Sequence, residues 1–141
     1  MIQERQFLNF IPPRLDGNFV EDKRRYMIVA KNDTNKTIDM INISKISGKK
    51  NRNLIKDYNV IIDDYEPLSL PSFAKTNVIY RVECFKELEN FISFGGKKLK
   101  QQEFNNIIKK NKQYIEKYKS INIIEFTKKE FQNKNPIETK I

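Results

Sequence analysis

The sequence has no histidine and a single cysteine, Cys84. Without an imidazole, Ser-His-Asp and Cys-His catalysis, histidine acid–base chemistry and the common zinc sites are all excluded. An enzyme made from this chain would have to work with Arg, Lys, Ser, Thr, Tyr, Asn and carboxylates, without a metal or other cofactor. One thiol excludes an intramolecular disulfide, and with no histidine to act as its base Cys84 reads as a small buried apolar residue. Apolar stretches of signal-peptide or membrane-spanning length are also missing, which points to the cytoplasm and away from a membrane partner.

What the chain has in excess is positive charge. Lysine and arginine number 27 against 18 acidic residues, a formal charge of +9 over 141 residues. That length suits one domain with a real core. The charge favours a polyanionic partner such as nucleic acid, although lysine- and asparagine-rich chains also occur without one.

Along the chain, residues 6–10 read as a short strand, and Pro12-Pro13 with Asp16-Gly17-Asn18 make 11–22 an irregular loop. Residues 24–31 are nearly continuous apolar sequence, as in a strand buried on both faces. A turn at 32–36 leads to 37–44, where Ile38 and Met40 alternate with polar residues, so the two runs form an antiparallel hairpin. Its open end returns Ser44 to the neighbourhood of Arg25. Residues 45–57 are a basic loop, 58–62 a further strand, and Pro67 and Pro71 place "LPSFAKTN" in the approach to a strand at 78–85 rather than inside it. A short helix at 86–93, a break at Gly95-Gly96 and a long amphipathic helix at 99–119 follow, the last with Phe104, Ile107, Ile108, Ile115 and Tyr118 on one stripe. The domain is thus expected over 1–120. An extension at 121–141 is expected to add an edge strand at "INIIEF" and then a loosely ordered tail. The pattern predicts a mainly β, α+β fold: a small curved antiparallel sheet or partly closed SH3-like barrel with a C-terminal amphipathic helix.

Cleaving RNA without histidine or metal requires a 2′-hydroxyl that loses its proton, a neutralised phosphorane, and a proton for the departing 5′-oxygen. A guanidinium meets the second requirement, being permanently charged and able to grip phosphate oxygens in pairs. A nearby serine can donate to the same phosphate or pass a proton. Arg25 and Ser44 fit those roles if the hairpin pairs as expected. Taken singly, each is also an ordinary strand-end residue.

The ordered segments "KRRYMIVAKND", "INISK" and "LPSFAKTNVIYRVE", followed by an amphipathic helix, resemble the PemK/MazF family of toxin endoribonucleases. The resemblance implies sequence-selective, metal-independent cleavage of single-stranded RNA by in-line attack, a cognate antitoxin of protein or RNA, and a homodimer. It assigns catalysis to Arg25 and Ser44, and offers Arg24, Ser72, Lys75 and Asn77 as further catalytic or RNA-binding candidates. Arg24 replaces Arg25 if the strand register differs by one residue. Lys23 with the loop residues Lys45, Lys49, Lys50 and Arg52 would then bind RNA. The usual Gly-Asp of that family is absent near the start, and Tyr26 stands where proline is frequent. A non-catalytic nucleic-acid-binding module or a protein-interaction module are the competing readings.

Overall fold

The structure, a computed structural model, describes residues 2–13, 22–46 and 58–136. Its centre is a mixed, mainly antiparallel sheet of six strands: β1 (Phe7–Phe10), β2 (Arg24–Asn32), β3 (Thr37–Lys45), β4 (Asn59–Ile62), β5 (Ser72–Glu83) and β6 (Asn122–Phe126). The strand order is β1-β2-β3-β5-β4, with β6 pairing β5 in parallel, and the sheet does not close into a barrel. Helix α1 (Gln101–Tyr118) makes the crossover between β5 and β6, and α2 (Lys128–Lys134) follows β6.

The hairpin forms as expected. Apolar, β-branched β2 and β3 pair antiparallel across a turn in which the Asn32 side chain accepts from the Asn35 N–H (2.9 Å). Alternation, interrupted by bulges, then assigns side chains to two faces. One face carries Tyr26, Ile28, Ile38, Met40, Tyr80 and Val82, and packs against Phe10, Phe126, Phe131 and Leu88. The opposite face carries Phe7, Met27, Ile41, Ile43, Ala74 and Ile79, and packs against Leu99, Phe104 and Ile107. These are called the α2 face and the α1 face below.

Several sequence expectations are corrected. "LPSFAKTN" does not merely approach a strand, since Ser72 to Asn77 lie inside β5. The strand tolerates them through a bulge: Met40 and Asn42 pair with Tyr80 and Lys75, so Thr76 to Ile79 stand against Ile41 alone. At the bulge the far edge of β5 changes partner, from β4 at Ser72–Lys75 to β6 at Val78–Val82. The segment after β6 is not loosely ordered as far as Pro136. Thr127 and Glu130 form a reciprocal capping box, Phe131 is fully buried, and the Asn135 side chain bonds the backbone of Ile11 on both N–H (2.7 Å) and C=O (2.8 Å). Cys84 is exposed, because it follows the last residue of β5. The apolar stripe of α1 is buried only at Phe104 and Ile107, while Ile115 and Tyr118 are exposed. Between them Asn111 donates to the Thr76 carbonyl (2.9 Å), so this turn of the helix meets the sheet through a polar contact.

Candidate nucleic-acid site

The registers decide which candidate residues can act together. Arg25 pairs with Ile43, Asn9 and, two strands on, Ala74, all on the α1 face. Arg24 pairs with Phe10, and the β2–β3 register continued by one residue sets it beside Ser44, which pairs with Phe73. Arg25 and Ser44 are therefore close along the hairpin but point to opposite sides of the sheet. The expected facing of Arg25 and Ser44 is corrected by this parity: the residue across from Arg25 is Ile43, which has no hydroxyl to offer. Arg24 is the arginine that shares a face with Ser44.

The α2 face at this end of the sheet carries two cross-strand rows, Phe10–Arg24–Ser44–Phe73–Ile61 and Leu8–Tyr26–Asn42–Lys75–Asn59. Neighbouring strands lie ~4.8 Å apart, so Arg24 and Ser44 are direct cross-strand neighbours, and Lys75 stands diagonally from Ser44 on the next strand. Arg24 is exposed, Ser44 and Lys75 are half-buried, and Asn42, Phe73 and Tyr26 form the buried floor. The Lys75 ammonium lies 5.8 Å from the centre of the Phe73 ring.

A short polar relay fixes Ser44. Its hydroxyl donates to Asn42 Oδ1 at 2.8 Å, and Asn42 Nδ2 donates to the Arg25 carbonyl at 3.2 Å. With its proton directed at Asn42, Ser44 Oγ keeps lone pairs with which it can accept a hydrogen bond. Beneath it, burial first and the neighbouring Tyr80 second hold the Tyr26 phenol far above its ordinary value, against the pull of Arg24. Tyr26 therefore stays neutral here.

The other candidates are scattered. Ser72 is buried, and its hydroxyl donates to the Leu70 carbonyl at 2.9 Å. That is a turn contact at the start of β5. Asn77 is half-buried within the β5 bulge. Lys23 and Lys45 are exposed beside Arg24 and Ser44 in the chain, and Lys49, Lys50 and Arg52 lie outside the described residues. No group of three or more His, Cys, Asp or Glu that could hold a metal ion occurs among the described residues, and no described helix is long and apolar enough to cross a membrane.

On the α1 face Arg25 sits in different surroundings. Its guanidinium carbon lies 4.8 Å from the centre of the Phe94 ring, and burial lowers its pKa, leaving a permanently charged group partly stripped of water. Its Nε is enclosed without a hydrogen-bond partner among the described residues. Sequence reading missed Asn42, Phe73 and Phe94. The only signal for Asn42 was a polar residue between two isoleucines in a strand, and Phe73 and Phe94 look like any core phenylalanine until the fold sets cations over them. The chain matches no protein-family model and no curated protein.

Proposed function

We propose that the protein is a metal-independent endoribonuclease acting on single-stranded RNA, with its centre at Arg24, Ser44 and Lys75 rather than at Arg25 and Ser44. The observation that carries the reading is the placement of a guanidinium, an ammonium and an acceptor hydroxyl on one sheet face above an aromatic floor. Arg24 neutralises the phosphorane oxygens. Ser44 Oγ, held by Asn42, accepts from the 2′-hydroxyl and points it toward phosphorus. Lys75 supplies the proton to the departing 5′-oxygen. The 2′-oxygen–phosphorus bond forms as the phosphorus–5′-oxygen bond breaks; the 2′-hydroxyl proton passes to solvent water, Lys75 gives its own proton to the 5′-oxygen, and the neutral amine regains a proton from water. The products are a 2′,3′-cyclic phosphate and a 5′-hydroxyl. Such a nuclease, restrained by a cognate antitoxin and acting as a homodimer, fits a toxin of the family that the sequence resembles.

Incubation of antitoxin-free protein with a long single-stranded RNA in EDTA tests this. Expected are cyclic-phosphate ends, loss of about two orders of magnitude in rate in Arg24→Gln and in Lys75→Gln, and a near-normal kcat in Arg25→Gln. Absence of cleavage, or cleavage indifferent to Arg24→Gln, would sink the reading. A second reading, RNA binding without cleavage, is favoured by the commitment of the Ser44 proton to Asn42. It predicts salt-sensitive RNA affinity with the RNA left intact.

A further inference from the structure

We propose that the outer edge of β4 and the C-terminal half of α1 form a stacking track for unpaired bases, which carries a single strand away from the Arg24–Ser44–Lys75 centre. The proposal rests on the RNA reading above only for the identity of the strand. Both cross-strand rows of that centre run out onto β4, where Lys75 pairs with Asn59 and Phe73 with Ile61. β4 ends the strand order, and Asn59 and Ile61 line a groove of about 440 Å³ whose other wall is α1, with Asn106, Lys109, Lys110 and Gln113. Two ammonium groups and three side-chain amides thus face the groove, and no carboxylate lines it.

Beside the groove the surface turns aromatic. Tyr58, just before β4, meets the Tyr114 ring edge-on at 6.1 Å, and Tyr114 meets Tyr118, one turn further along α1, at 4.6 Å. Tyr58 and Tyr114 are half-buried, and Tyr118 is 47 % exposed. Single exposed aromatics are ordinary on a protein surface, but three in a continuous chain of contacts make a ladder on which successive bases can stack. The charge around them suits a phosphate backbone: over residues 106–119 five lysines stand against Glu116 alone. The Lys117 ammonium lies 5.1 Å from the centre of the Tyr118 ring. Such an exposed cation–π contact is weaker than stacking by a base, so a base displaces the ammonium and leaves it placed for the adjoining phosphate. The ladder is also fixed in position. Thr76, next to Lys75 in β5 and fully buried, donates both its N–H (3.0 Å) and its hydroxyl (2.6 Å) to the Tyr58 carbonyl. Its own carbonyl accepts from Asn111 Nδ2 (2.9 Å), three residues before Tyr114. The polar contact at this turn of α1 therefore aligns the ladder with the strand that carries Lys75, and rings held in advance lose little freedom on binding.

The chain has no tryptophan, so its intrinsic emission comes from its six tyrosines and reports stacking on them. The test titrates the full chain with two uncleavable 2′-O-methyl strands of equal length, an oligoadenylate and its abasic counterpart, following tyrosine emission and the anisotropy of a dye on the strand. Expected is saturable quenching by the oligoadenylate alone. Its affinity should fall about fivefold or more in Tyr118→Ala and return in Tyr118→Phe, while the affinity of the abasic strand changes in neither variant. Tyr118 is exposed, so its truncation leaves the fold in place. Lys109→Glu should weaken both strands alike, because it removes a phosphate contact and no ring. Equal affinity of the parent for the two strands, or an oligoadenylate affinity indifferent to Tyr118→Ala, overturns the proposal. The two readings fail separately. A protein that leaves RNA intact yet shows the Tyr118 effect refutes the nuclease and keeps the track, whereas Arg24-dependent cleavage without a Tyr118 effect does the reverse.

Discussion

Tyr26 is fully buried, and its hydroxyl has no hydrogen-bond partner among the described residues. Its ring nevertheless stacks on Phe10 at 4.5 Å and meets Tyr80 edge-on at 4.9 Å, so packing holds it in place of hydrogen bonding. Because burial raises the phenol's pKa in the folded chain, the unfolded chain loses this proton near 10.0 while the folded chain keeps it. Stability from this group is therefore complete below that pH and declines as pH rises past it, by up to ~1.4 kcal/mol per pH unit. Tyr26→Phe removes both the idle hydroxyl and the titration. Denaturant unfolding should show the variant within ~1 kcal/mol of the parent at neutral pH, or above it, and less sensitive to alkali. Equal alkaline losses in the two proteins would assign the sensitivity elsewhere. The same scale separates Arg24 from Arg25. Both belong to one charged strand entrance in the sequence, but one residue of parity gives the first an exposed position beside Ser44 and the second a ring to lie on.

Helix α2 shows how a short element becomes indispensable. Its seven residues are too few for a stable isolated helix, and a capping box with one buried side chain holds it. Phe131 packs against Phe10 (4.8 Å), Phe91 (5.1 Å) and Phe85 (5.6 Å). Phe131→Ala should cost ~3–5 kcal/mol and Thr127→Ala ~1 kcal/mol in denaturant unfolding. A loss below ~1 kcal/mol for Phe131→Ala would show that the aromatic cluster closes without it. The helix escaped sequence reading because only Phe131 within it is apolar, and one residue sets no period. α1 was legible because its stripe repeats at helical spacing, whereas the depth of each position was not. Asn111 takes up the contact with Thr76, and the stripe beyond it stays exposed. The two halves of β5 divide similarly: alternation marked 78–83, and the prolines before Ser72 obscured the rest.

For the whole molecule the governing quantity is the charge of +9. Binding to a polyanion releases counterions, so affinity for single-stranded RNA should fall linearly with salt on logarithmic axes. Removing one phosphate contact reduces the slope by ~0.7, which is the change expected for Arg24→Gln in a fluorescence titration with uncleavable RNA. A salt-independent affinity would favour the protein-interaction reading instead. Two of its cations lie on opposite faces of the sheet, each by an aromatic ring: Lys75 near Phe73 on the α2 face and Arg25 over Phe94 on the α1 face.

Composition and periodicity alone determined the chemistry that is out of reach, the α+β class, the β2–β3 hairpin and the long helix, because each depends on residue type or local spacing. Only the tertiary structure decided which cations share a face. Side-chain direction in a strand reverses at every residue, and bulges at Ile28/Ala30 and Met40/Asn42 shift the register by amounts that no local pattern records. For that reason Arg24, not Arg25, stands across from Ser44, and Arg25 lies over the Phe94 ring.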